Sequence, residues 1–120
     1  MFNNSFLKKL NILFIESNTE DREHFSNILY KFFNNVVVCS NGKDGIDNFL
    51  EKRQEYFLDI IICDKTLEDI TGIEVSKKIR EIDSEIPFII TSPKIEVDDL
   101  LIAIKYKATD YLSKPINGKD

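Results

Sequence analysis

An alternation constrains this chain more than anything else in it. Short apolar runs fall at residues 11–15, 36–39, 60–63 and 88–91, with a shorter fifth at Tyr111-Leu112. The third run, Ile60-Ile61-Ile62-Cys63, is apolar without interruption, as a strand covered on both faces must be. Between the runs, apolar residues recur at helical spacing: Phe25, Ile28, Leu29 and Phe32, then Ile46, Phe49 and Leu50; in the third helix Ile73, Ser76, Ile79 and Ile82 are expected to face inward. Ser17-Asn18-Thr19-Glu20 has the form of a capping box opening the first helix. Asn41-Gly42 turns the chain into the second, and a polar loop over 65–71 ends at Gly72 before the third. Asp98 and Asp99 open a fourth, where carboxylates favour the positive end of the helix dipole. The order is (βα)4β, which implies a parallel sheet with helices on both faces. Residues 1–120 read as one domain with one core. Only residues 116–120 follow Pro115, too few for a fifth helix, so one sheet face is expected to be under-covered. Either the domain is the N-terminal part of a longer protein or a partner covers that face.

Bulk properties remove several function classes. A net charge of −5 lacks the basic footprint of a nucleic-acid binder. No apolar run reaches the length of a membrane span, and the N-terminus lacks the continuous apolar stretch and cleavage site of a signal peptide. Cys39 and Cys63 each sit in an expected buried strand with no metal-type spacing, and read as reduced thiols in a cytoplasmic protein. His24, the single histidine, reads as a partly exposed helix residue, and Lys77, Lys78 and Arg80 as the solvated face of the third helix.

The chemistry sits at the strand ends. Asp64 closes the third run, Ser92 the fourth, and Lys114-Pro115 follows the fifth. In an open parallel α/β sheet these ends meet in one crevice, where ligands bind. An acid, a hydroxyl and an amine converging there point to one small anion, a phosphoryl group.

These residues carry a family resemblance. Glu16 after the first strand, Asp64 after the third, Gly72 eight residues on, Ser92, and the segment Ala108-Thr109-Asp110-Tyr111-Leu112-Ser113-Lys114-Pro115 stand in the register of a response regulator receiver domain. The chain resembles the chemotaxis-regulator type of that domain along its whole length apart from the fifth helix. The resemblance implies a flavodoxin-like, doubly wound five-stranded parallel sheet of order 2-1-3-4-5. It implies a phosphoacceptor at Asp64, a phosphoryl-pairing lysine at Lys114, a switch hydroxyl at Ser92 and a switch aromatic at Tyr111. It also implies Mg²⁺ held by Glu16, Asp64 and the backbone carbonyl of Thr66, with a sensor histidine kinase as phosphodonor. Such a domain is a signalling element, with no turnover beyond self-phosphorylation and dephosphorylation.

The chain departs from the family pattern at several positions. Ser17 stands where the second acid of the metal pair belongs, which should weaken a site that wants anionic oxygen ligands. Pro93 follows Ser92 where a small residue normally lends a backbone N–H to the phosphoryl oxygens, and proline has none. Glu68 replaces a loop proline and Lys107 a glycine. Leu100-Leu101-Ile102-Ala103-Ile104 runs round the fourth helix, so one of Leu101, Ile102 or Ile104 faces away from the core. With Tyr106 they form the expected interface for partners or a second copy, on the helix 4/strand 5 face that the family uses. An effector domain beyond residue 120 is also expected. The alternative is a degenerate receiver, a phosphate-independent interaction module, for which Ser17 and Pro93 speak. A dehalogenase-type phosphatase would need an aspartate two residues after Asp64, where this chain has Thr66.

Overall fold

The structure, a computed structural model, describes residues 7–91 and the backbone of residues 92 and 110–113. Its elements are β1 (Asn11–Ile15), α1 (Thr19–Phe32), β2 (Asn35–Cys39), α2 (Gly42–Lys52), β3 (Ile60–Asp64), α3 (Gly72–Ile82), β4 (Phe88–Ser92) and β5 (Asp110–Ser113). The strands form one parallel sheet of order β2-β1-β3-β4-β5. This is the flavodoxin-like arrangement expected from the sequence. The fourth helix with Leu101, Ile102, Ile104 and Tyr106, the Lys114-Pro115 step and the question of a fifth helix lie outside the described residues.

Strand alternation sorts the core into two layers. Leu13, Ile15, Ile61, Cys63, Phe88 and Ile90 point to one face and pack with Phe49 of α2 and with Val75 and Ile79 of α3. Ile12, Phe14, Ile60, Ile62 and Ile89 point to the other and pack with Phe25 of α1. The Phe14 and Phe25 rings meet edge-on, centroids 6.5 Å apart. Each fully buried large side chain contributes about 1.5–3 kcal/mol relative to exposure, so these layers hold the strand ends in place.

Three local expectations are corrected. Ser17 does not cap α1: the N-cap is Asn18, whose side chain accepts from the Asp21 N–H at 2.9 Å. The Ser17 hydroxyl is drawn away by Ser40 and Glu68. On α3 the inward residues are Val75 and Ile79, whereas Ile73 and Ile82 are each 39% exposed. The buried face of the helix runs through Gly72, Val75 and Ile79, and Gly72 packs directly on the β3 end. On α2, Phe49 is buried and Leu50 is exposed. The capping box in the molecule belongs to α3, where the Thr71 side chain accepts from the Glu74 N–H and Glu74 reaches back to the Thr71 N–H.

Candidate functional site at the strand ends

The C-terminal edge of the sheet brings three polar side chains to one face. Phe14, Ile62 and Ile89 point toward α1. Two residues further along their chains stand Glu16, Asp64 and Thr91, and the period-2 alternation places all three on that same side. Ile15 pairs with Cys63, so Glu16 and Asp64 leave adjacent strands together, roughly 5 Å apart in the sheet. Asp64 pairs directly with Thr91. All three residues are buried. The ladders continue past the strands: the Glu16 N–H donates to the Cys39 carbonyl at 2.9 Å and the Lys65 N–H to the Thr91 carbonyl at 3.0 Å.

The surroundings of Glu16 are specific. Its Oε2 accepts from the Asn18 N–H at 3.1 Å. Arg22, one turn into α1, donates from one terminal nitrogen to the carbonyls of Glu16 (3.0 Å) and Ser17 (3.1 Å). That brings a guanidinium to the rim of an acidic pocket. The Cys63 thiol reports the local field: burial pushes it up, and the charges of Asp64, Glu16 and Asp69 push it further. Two buried carboxylates on neighbouring strand ends are costly unless a cation neutralises them.

Ser17 sits beside this pocket with its hydroxyl engaged. It donates to the Ser40 carbonyl at 2.6 Å and accepts from the Glu68 N–H at 3.0 Å. Thr66 lies on the loop after β3, bridged to Thr71. The Gly72 N–H closes that loop on the Lys65 carbonyl at 2.9 Å. A Cβ at Gly72 would collide with the backbone carbonyl of Asp64, so only glycine lets α3 start this close to the end of β3.

The Glu16 and Asp64 carboxylates at adjacent strand ends offer the oxygen donors that a hard cation such as Mg²⁺ prefers. Among the described residues no three His, Cys, Asp or Glu side chains cluster as a metal site.

Of the residues singled out in the sequence, Glu16 and Asp64 come together at adjacent strand ends. The backbone of Ser92 ends β4 opposite Ser113, the residue before Lys114, and Tyr111 pairs with Ile90. Three contributors escaped the sequence reading. Thr91 is 2% exposed, and its Oγ1 has no hydrogen-bond partner among the described residues. The sequence reading takes Ser92, at the close of the fourth run, as the switch hydroxyl, and the β3–β4 register sets its neighbour Thr91 opposite Asp64. Arg22 was not singled out in the sequence. Asp69, within the polar loop over 65–71, accepts from the N–H groups of Gly42 (2.8 Å) and Lys43 (2.9 Å) at the start of α2. Its burial works against ionisation, but these bonds and the Ile70 N–H hold its carboxyl below the usual carboxylate range.

A twisted parallel sheet ending in paired acids at its central strands defines a receiver-type domain. Residues 12–120 match the family described as the response regulator receiver domain, and the chain belongs to it. Over 82 residues, 68% of the chain, it is 34% identical to the transcriptional regulatory protein ZraR of Klebsiella oxytoca. Over 83 residues, 69% of the chain, it is 36% identical to the response regulator ArlR of Staphylococcus aureus. These matches span 18% and 36% of those relatives' lengths. Among solved structures, a receiver domain protein from Clostridium thermocellum superposes with a TM-score of 0.73 at 23% identity, covering 92% of this chain and 86% of that one. The receiver domain of Saccharomyces cerevisiae Ssk1, solved with the histidine phosphotransfer protein Ypd1, gives 0.68 at 22%, covering 92% and 82%. At these identities the structures speak for the fold alone.

The chain is thus a receiver domain of two-component signalling, a signalling element of a family that generally binds Mg²⁺ at its acidic pocket. Among the described residues no helix is long and apolar enough to cross a membrane.

Proposed function

We propose that this domain accepts a phosphoryl group on Asp64 from the phosphohistidine of a sensor kinase or phosphotransfer protein. The observation that carries the proposal is the placement of Asp64: the last residue of a central strand, beside the buried carboxylate of Glu16 and across the ladder from Thr91. A carboxylate oxygen of Asp64 attacks phosphorus in line. The P–N bond to the donor imidazole breaks, its electron pair stays on the ring nitrogen, and that nitrogen takes up a proton. Catalysis of this kind is positioning plus charge neutralisation. Glu16, Asp64 and the Thr66 carbonyl would hold Mg²⁺, which when bound neutralises the pocket. Lys114 pairs with the phosphoryl oxygens.

A hydroxyl at the end of β4, Thr91 or Ser92, then engages the acyl phosphate, and Tyr111 follows it. Thr91 is favoured by its ladder partner. In that register Ser92 takes the place of the small residue whose N–H holds the phosphoryl oxygens, and Pro93 no longer removes that donor. The output is a shift between two packings of the helix 4/strand 5 face, with Leu101, Ile102, Ile104 and Tyr106 as the docking residues for partners or a second copy. An effector beyond residue 120 would receive it.

A second reading, a phosphate-independent interaction module, is favoured by Ser17, whose hydroxyl is committed to the backbone where the family's second acid would stand. One experiment separates the two. The domain is incubated with acetyl phosphate with and without Mg²⁺, and its intact mass is read beside an Asp64→Asn control. A Mg²⁺-dependent gain of one phosphoryl group, absent from the control, is the expected result. No gain at high donor and high Mg²⁺ would leave the interaction module standing.

A further inference from the structure

Ser17 and Glu68 are neighbours through one hydroxyl. A serine hydroxyl has one proton to give and two lone pairs to receive with. Here the proton goes to the Ser40 carbonyl just past β2, and one lone pair takes the Glu68 N–H from the loop after β3. Ser17 itself follows β1, so one hydroxyl joins three segments at the rim of the acceptor pocket. The next loop residue, Asp69, is tied to the first two N–H groups of α2. The loop that carries Thr66 is therefore pinned at two successive residues.

The two sides of this contact depend on each other. A carboxylate at position 17 has no proton to offer the Ser40 carbonyl. A proline at position 68 has no N–H to offer Ser17. Serine at 17 and a non-proline residue at 68 are thus two halves of one contact, and both depart from the family pattern.

We propose that Ser17 is a positioning residue: its hydroxyl clasps the β3–α3 loop to the end of β2 and so sets the cation-binding geometry of the Asp64 pocket without itself being a ligand. The proposal rests on the acceptor reading above for what the pocket binds, but the clasp is independent of it.

The test uses the full chain and four variants: Ser17→Ala, Ser17→Thr, Glu68→Pro and the Ser17→Ala/Glu68→Pro double. Amide hydrogen exchange is followed at Glu68 and Gly42, and Mg²⁺ is titrated by amide chemical shift. In Ser17→Ala we expect Glu68 to exchange about fivefold faster, as loss of a hydrogen bond worth about 1 kcal/mol implies. We expect Mg²⁺ binding to weaken several-fold in Ser17→Ala and in Glu68→Pro, with no further loss in the double, because the two changes remove one contact. Ser17→Thr, which keeps the hydroxyl, should restore both readouts.

Weaker Mg²⁺ binding in Ser17→Ala with unchanged Glu68 exchange would make Ser17 a ligand and overturn the proposal. Faster exchange with unchanged Mg²⁺ affinity would make the clasp merely structural and overturn it as well, as would additive losses in the double. No Mg²⁺-induced shift in the unaltered chain would defeat the metal reading and the proposal with it, and Glu68 exchange would then report only whether the Ser17 contact exists.

Discussion

Thr91 lies directly across the β3–β4 ladder from Asp64, buried, with no hydrogen-bond partner for its hydroxyl among the described residues. A buried hydroxyl left unbonded costs about 1–3 kcal/mol. Thr91→Val keeps the shape and removes the cost. The unphosphorylated domain should therefore gain about 1 kcal/mol in urea unfolding while losing the hydroxyl that engages the acyl phosphate. The expected outcome is a higher midpoint together with loss of phosphorylation-induced shifts in β4. Ser92→Ala should keep those shifts. The reverse pattern would return the switch role to Ser92.

Restoring the missing acid gives a second prediction. Ser17→Asp adds a third carboxylate beside Glu16 and Asp64 and breaks the bond to Ser40. Without metal, like charges and the lost clasp should lower the thermal midpoint by about 4 °C or more. With millimolar Mg²⁺ the variant should recover and exceed its own metal-free value by more than the parent does, since ligand binding to the native state stabilises it. Equal Mg²⁺ responses in the two proteins would show that position 17 does not face the cation.

Gly72→Ala tests how α3 is seated. The added methyl meets the Asp64 carbonyl oxygen and the Lys65 backbone, and backbone cannot step aside as a flexible side chain does. Destabilisation on the order of 1–3 kcal/mol is expected, along with slower phosphorylation because the acceptor's own peptide is displaced. A neutral substitution would mean that α3 can slide outward without cost.

Two groups bound the pH range of stability. The Asp69 carboxyl is held below its ordinary range by backbone N–H donors, so it binds fewer protons in the native state than in the unfolded one as pH falls. Its contribution is present above its unfolded value, near 4, and is lost on acidification through its lower native value. Asp69→Asn should flatten that acid limb. On the alkaline side, burial first and the Asp44 charge second push the Cys39 thiol up to about 11. The unfolded thiol ionises earlier, so stability should fall as pH rises from about 9 and level off for this group above its native value. Cys39→Ser should soften the alkaline fall. Both cysteines are free and buried, and should resist alkylation until the domain unfolds.

The parallel α/β fold was legible because its strands are continuously apolar and its helices are not. That contrast survives without any knowledge of partners, and Ile60-Ile61-Ile62-Cys63 followed by Asp64 announces both a central strand and a functional end. Asp64 was legible for the same reason, as an acid closing an apolar run, while Glu16 was singled out by the family resemblance. The helix faces were read less well. Ile73 and Ile82 are as hydrophobic as Val75 and Ile79, yet in the folded domain Val75 and Ile79 are buried while Ile73 and Ile82 are exposed.

Composition and periodicity thus determine which segments are strands, which are helices and which strands end in acids, since these follow from local pattern and burial. Register, rotation and the destination of small polar side chains are settled by tertiary contact. Thr91 stands opposite Asp64 because the ladder slides by whole residues, and nothing within β4 records the offset. Ser17 becomes a clasp instead of a cap because Ser40 and Glu68, 23 and 51 residues away along the chain, arrive at its hydroxyl in the folded state.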